Sequence, residues 1–178
     1  HNGVHIHRTK ASNLDKNNFI KRVFRLVINS LQLYIKANKL IEKNGSVLIV
    51  TNPAFLLLLT QRLVTQKKLN YKILVHDVFP ENLVAIKKIS AKSYAYKILK
   101  SLFDKAYKQA QECISIGRDM TEILKNKTGE NKQITTIPIW SQNEEITPIK
   151  KEQTQLFKDL KLTKFTFQFA GNMGNAQG

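Results

Sequence analysis

Tyr71-Lys72-Ile73-Leu74-Val75-His76-Asp77-Val78-Phe79-Pro80-Glu81 begins as an apolar run and ends on a polar pair followed by a proline. The run reads as a strand. Pro80-Glu81 places a proline at a first helical position and an acid at the positive end of a helix. The same strand-then-helix unit recurs on either side. Upstream, Val47-Leu48-Ile49-Val50-Thr51 leads to a helix opened by Pro53 and running through Leu63. Downstream, Ser93 to Gln111 has Ala95, Ile98, Leu99, Leu102, Phe103 and Ala106 at helical spacing. Glu112-Cys113-Ile114-Ser115-Ile116 is then a strand, Gly117 a turn, Met120 to Lys127 a short helix and Ile134 to Pro138 a further strand. Short apolar strands alternating with helices predict an α/β fold, a parallel sheet with helices on both faces. Ligands of such sheets collect at the carboxyl ends of the strands. The residues to watch are therefore Thr51-Asn52-Pro53, His76 to Glu81, Gly117-Arg118-Asp119 and Ile139-Trp140-Ser141.

Before this repeat, Lys16 to Lys43 reads as one long helix. Ile20, Val23, Phe24, Val27, Leu31 and Tyr34 share a face expected to pack on the core, and Lys21, Arg25, Asn29, Gln32, Lys36, Lys39 and Lys43 occupy the other. Two readings stand for the basic face: simple solvation, or contact with an anionic membrane surface through residues such as Arg25, Lys36 and Lys39. Earlier still, Val4-His5-Ile6-His7 alternates as a strand with one wet face would. His1, His5 and His7 have no Cys, Asp or Glu nearby in sequence to complete a ligand set, so no metal site is expected. After Trp140 the chain turns polar through Pro148, Lys151 to Leu160 reads as a short helix, and Phe165-Thr166-Phe167-Gln168-Phe169 reads as a new strand. It runs into Ala170-Gly171-Asn172-Met173-Gly174-Asn175-Ala176-Gln177-Gly178.

The 178 residues are 42% hydrophobic, enough for a packed core. Twenty-nine Lys and Arg against thirteen Asp and Glu leave a formal charge of +16, which favours an anionic partner. Nucleic acid is not expected, because no helix-turn-helix spacing, zinc ligand set or aromatic RNA-binding strand motif accompanies the charge. A basic α/β module that binds nucleic acid or an anionic membrane without catalysis is the alternative reading. The one cysteine, Cys113, sits in a strand and points to structural burial in a reducing compartment. No apolar stretch is long enough to span a membrane. His1-Asn2-Gly3 has neither an initiator methionine nor the sections of a signal peptide and reads as a cut.

Chemistry is concentrated after the strands. His76 and Asp77 directly follow one, where an imidazole and a carboxylate can polarise or exchange protons with a ligand; equally, such a pair serves as a turn device. Glu81 either caps a helix or binds a sugar hydroxyl. The glycines Gly171 and Gly174 after a strand allow a backbone to approach a phosphate, or form an ordinary strand-to-helix turn.

Taken in order, His76-Asp77-x-x-Pro80-Glu81, Cys113-Ile-Ser-Ile-Gly117-Arg118-Asp119-Met120, Ile137-Pro138-Ile139-Trp140 and Phe169 to Gly178 resemble glycosyltransferase family four. The resemblance is strongest to the bacterial branch that builds capsule, O-antigen and colanic-acid-type polysaccharides. It implies that the α/β sheet is Rossmann-like, the N-terminal half of a GT-B fold. Residues 1–140 would be the acceptor-side domain without its first strand, residues 141–164 a linker with a short helix, and residues 165–178 the start of the donor-binding domain. It also implies retaining transfer from a nucleotide-diphosphate sugar to a polyprenyl-diphosphate-linked saccharide, with no permanently bound cofactor and no essential metal. On this resemblance His76, Asp77 and Glu81 are the catalytic candidates, and Gly171, Asn172 and Gly174 lie against the donor diphosphate. The enzyme would act in the cytoplasm, peripheral at the inner face of the cytoplasmic membrane. The 178-residue chain alone, lacking most of a donor domain, is expected to be inactive.

Overall fold

The structure is a computed structural model that describes residues 3–10, 12, 19–140, 144, 147–161, 164–167 and 171. By compactness the chain divides into two units, His1–Pro138 and Ile139–Gly178. The first contains α1 (Phe19–Leu40), β1 (Ser46–Val50), α2 (Ala54–Lys67), β2 (Asn70–Val75), α3 (Glu81–Ala85), α4 (Tyr94–Gln109), β3 (Glu112–Ser115), α5 (Arg118–Thr128) and β4 (Gln133–Thr136). The strands form one parallel sheet in the order β1-β2-β3-β4. The fold is α/β, a four-stranded parallel sheet flanked by helices in the Rossmann-like manner.

Register explains the core. Ile49, Ile73, Cys113 and Ile134 lie side by side across the four strands, with Tyr71 and Val75 on the same face one pleat away. They pack on Leu57 of α2, on Phe103, Ala106 and Tyr107 of α4 and on Leu124 of α5. The alternate residues are less covered: Leu48 is exposed, and Leu74 and Ile114 are half-buried. On that face Lys72 reaches Glu112 across the strands at 2.6 Å, and Thr135 donates to the same carboxylate. The Lys72 ammonium, then the Thr135 hydroxyl, hold the Glu112 carboxyl below the usual glutamate range.

Cys113 lies at the centre of this core with no exposed surface. Burial, foremost, pushes its thiol up to about 11, so almost no nucleophilic thiolate exists near neutrality. Iodoacetamide is therefore expected to leave the native chain unlabelled at pH 8 and to label Cys113 once urea unfolds it. Rapid labelling of the native chain would contradict the packing described.

The long basic helix forms, but it is rotated from the expected core face, of which Val23, Val27 and Tyr34 are half-buried and the rest exposed. Ile20, Phe24 and Leu31 are 65%, 60% and 41% exposed, whereas Ser30 is fully buried. The helix packs on α2 through the side that carries Ser30, whose hydroxyl donates to Leu26 O at 2.7 Å and so needs no outside partner. Ile20, Phe24, Leu31 and Ile35 are left as an apolar stripe within roughly 60° of helical arc. α2 is apolar on several sides because the sheet lies on one and α1 on another. Lys67 at its end donates to the carbonyls of Asn38 and Ile41, completing hydrogen bonds at the end of α1. Gly129, at φ 95°, ends α5 in a conformation that disfavours any side chain.

Two expected strands do not form at the described residues. Val4 to His7 pairs with no sheet edge and is exposed. A period-two pattern makes a strand only when a neighbour supplies its hydrogen bonds, and this segment instead lies along α1, where Lys36 Nζ donates to Arg8 O. In the second unit, residues 165–167 likewise show no strand, with Phe165 and Phe167 almost fully exposed and their rings edge to face at 5.0 Å; Gln168 and Phe169 lie outside the described residues. The helix expected from Lys151 to Leu160 is a 3₁₀ turn at Lys151–Gln153 followed by α6 (Gln155–Asp159).

Candidate active site at the carboxyl edge of the sheet

Because the strands are parallel, the loops after β1, β2, β3 and β4 emerge at one edge. Thr51 opens the first of them. Its hydroxyl oxygen is buried and accepts two backbone N–H groups in succession, from His76 at 3.0 Å and from Asp77 at 3.2 Å. One side chain on β1's loop thus holds the backbone of the β2 loop. Below that loop, Tyr107 of α4 reaches up: its hydroxyl donates to Asp77 O and accepts from Phe79 N, both at 3.5 Å. Burial, chiefly, raises the Tyr107 phenol well above its usual range, so it remains a neutral donor. Phe79 stacks on Phe103 with ring centroids 5.7 Å apart. Val78 and Pro80 are buried while the His76 and Asp77 side chains are exposed. The loop is anchored through its backbone and its apolar residues, and it presents an imidazole and a carboxylate outward.

Glu81 is placed differently. Both of its carboxylate oxygens accept from Lys127 Nζ at 2.8 Å, and Lys100 Nζ stands 3.4 Å away. Lys127 also lies 2.5 Å from Asp104 Oδ1, an ion contact outside hydrogen-bond geometry, and Lys100 donates to Asp104 Oδ2 at 2.7 Å. Two carboxylates and two ammonium groups alternate in one cluster joining α3, α4 and α5. The Lys127 side chain is only 2% exposed, with its ammonium 5.3 Å from the Tyr107 ring centroid. Although partial burial opposes it, the Lys100 ammonium is stabilised by Asp104 and then Glu81, which raise its pKa. Thus His76 and Asp77 stand together facing solvent, while the Glu81 carboxylate is engaged by the helices beneath them.

The sequence marks Thr51 only as a strand-end position and gives no role to Tyr107 or Lys127. For Thr51 a signal was present, since it sits at a strand's carboxyl end; for the other two, partners distant in sequence decide. A further hydroxyl cluster lies at this edge: Ser115 and Thr121 at 2.5 Å, Thr121 and Thr136 at 2.8 Å, and Ser115 and Thr136 at 3.1 Å. Gly117 precedes α5, and Arg118 and Asp119 are exposed in its first turn. Gly171 is exposed; Asn172 and Gly174 lie outside the described residues, as does His1. Arg25 and Lys36 are half-buried on α1 and Lys39 is exposed. Among the described residues no group of three or more His, Cys, Asp or Glu side chains could hold a metal ion, and no helix is long and apolar enough to cross a membrane.

Compared with curated proteins, the chain aligns over 165 residues with WbjE of Pseudomonas aeruginosa, described as a probable glycosyltransferase, at 32% identity. It is similar to a probable glycosyltransferase. The match takes in 92% of this chain and 41% of WbjE, so the chain spans about two fifths of the relative's length. It therefore covers the sheet, the loops at its carboxyl edge and the anchoring residues alike. No family model and no solved structure matches the chain.

Proposed function

We propose that the complete protein transfers a sugar from a nucleotide-diphosphate sugar to a lipid-linked saccharide during surface polysaccharide biosynthesis. The observation that carries this reading is the 32% identity to a probable glycosyltransferase along 92% of the chain. The geometry supports it, because a parallel sheet presents His76 and Asp77 at the edge where ligands of such sheets bind. In the proposed reaction the bond between the anomeric carbon and the diphosphate oxygen breaks. A bond to the acceptor hydroxyl oxygen forms, the hydroxyl proton passes to a base, and the nucleoside diphosphate leaves. Asp77 and His76 hold the acceptor hydroxyl and accept its proton. Glu81 contributes by fixing the loop through Lys127 and Lys100. Gly171, Asn172 and Gly174 line the donor diphosphate of a GT-B enzyme that acts with retention and without an essential metal, and the 178-residue chain alone does not catalyse transfer.

Asp77→Asn in the complete protein is expected to lower kcat at least about a hundredfold, the range of a lost acid-base group, measured by mass spectrometry of the extended acceptor. Wild-type turnover in that variant would remove Asp77 from the chemistry.

The enzyme docks on the anionic inner face of the cytoplasmic membrane through α1, whose apolar stripe of Ile20, Phe24, Leu31 and Ile35 is exposed on the helix that carries Arg25, Lys36 and Lys39. Each cation near anionic headgroups contributes about 1 kcal/mol. Reversing all three charges to glutamate is expected to weaken binding to phosphatidylglycerol vesicles by roughly two orders of magnitude. Unchanged co-sedimentation would count against this surface.

A further inference from the structure

We propose that the cleft between the N-terminal segment and α1 is a binding site for a phosphate ester that carries a neighbouring hydroxyl. The cleft, of ≈ 380 Å³, is lined by Arg8, Thr9, Lys10, Gln32, Ile35, Lys36 and Lys39. Four of these are cationic and none is acidic. Among the described residues, none of the four cations makes an ion pair with a carboxylate. Elsewhere the chain treats clustered lysines otherwise: Lys100 and Lys127, beneath the β2 loop, are matched by Glu81 and Asp104. Four like charges around one cleft repel one another unless an anion occupies it.

The wall is built from two directions. Gln32, Ile35, Lys36 and Lys39 share a face of α1 through their three- and four-residue spacing. The backbone carrying Arg8 and Lys10 is held against them by the hydrogen bond from Lys36 Nζ to Arg8 O at 2.7 Å. That bond uses one of three ammonium protons and leaves two for a ligand. Gln32 Oε1 is buried without a hydrogen-bond partner. An inorganic anion leaves it so, whereas a hydroxyl on the ester's alcohol portion donates to it while the phosphoryl oxygens take the N–H groups of Arg8, Lys10, Lys36 and Lys39. Glycerol phosphate has this chemistry, whether free in solution or as the headgroup of phosphatidylglycerol. The exposed side of Ile35 borders the cleft and belongs to the apolar stripe of α1, a surface on which a lipid-borne ester can rest its chain.

The site is independent of the sugar-transfer reading, since no residue at the carboxyl edge of the sheet lines it. The test titrates the 178-residue chain with glycerol 1-phosphate by calorimetry, and separately with vesicles containing phosphatidylglycerol. Two variants of equal net charge are compared: R8Q/K10Q/K36Q/K39Q in the cleft, and K87Q/K92Q/K105Q/K108Q outside it. Saturable binding that weakens at least about tenfold in the first variant and not in the second is expected. Gln32→Leu is expected to erase the preference for glycerol phosphate over inorganic phosphate. Binding of the free ester identifies a soluble ligand; vesicle binding alone that is weakened both in the cleft variant and by Gln32→Leu identifies a lipid headgroup, whereas vesicle binding indifferent to Gln32→Leu is docking of α1 through Lys36 and Lys39 and overturns the site. Equal weakening in both charge variants, or no saturable binding of either probe to the wild-type chain, overturns the proposal.

Discussion

Replacing Lys127 with methionine is expected to lower the stability of the sheet unit by about 3–5 kcal/mol, the loss typical of breaking a buried ion pair by removing one partner. Lys127 is the most enclosed member of its cluster, and without it Glu81 and Asp104 are left with Lys100 alone. Methionine keeps much of the apolar stem but provides no charge, so the carboxylates face one another only partly compensated. A domain of this size has a total stability of about 5–15 kcal/mol, so a loss on this scale takes a large share of it. Urea denaturation followed by circular dichroism reads the effect as a lowered midpoint. The double variant Lys127→Met with Glu81→Gln is expected to recover part of the loss, because one of the two carboxylates left behind is removed with its partner. A midpoint unchanged by Lys127→Met would mean that the cluster contributes little and that the β2 loop does not depend on it.

Thr51→Val tests the other anchor. Valine preserves shape and removes only the oxygen that accepts His76 N and Asp77 N. A buried donor left without a partner costs about 1–3 kcal/mol. Because both donors belong to one loop, the effect should concentrate there. Faster amide exchange at His76 and Asp77, with little change in the strands, is the expected signature, and Thr51→Ser, which retains the oxygen, should behave like the wild type. Equal exchange in Thr51→Val would show that Tyr107 and Phe103 hold the loop unaided.

These two anchors also show how far the sequence could be read. The strands were legible because each is a short apolar run closed by a turn, and their ends shift by a residue or two for local reasons. Thr51 was expected within β1, but its side chain turns to serve the next loop while its N–H still donates to Leu74 O. Likewise Ile137 N still donates to Ser115 O beyond the end of β4, and Pro138, without an N–H, continues no ladder. The orientation of α1 was not legible, because apolar residues cover more of its circumference than one contact can bury. A small buried serine, not the largest side chains, marks where α2 lies. Lys127 could not be read as buried either: its partner Glu81 is 46 positions away in sequence, and a lysine in a short helix ordinarily faces water. His76 and Asp77 were placed by the rule that ligands meet parallel sheets at strand ends. The rule located the loop and was silent about which way Glu81 would turn.

The measurement that bears most directly on the proposed activity is transfer by the complete protein. It would be offered UDP-, GDP- and dTDP-sugars in turn with a polyprenyl-diphosphate-linked saccharide, and the products read by mass spectrometry. Extension of the acceptor by one sugar from one donor, with release of the matching nucleoside diphosphate, is the expected result. Failure to extend the acceptor from any donor, by a protein that is folded and binds phosphatidylglycerol vesicles, would contradict it and leave a membrane-binding α/β protein without this catalysis.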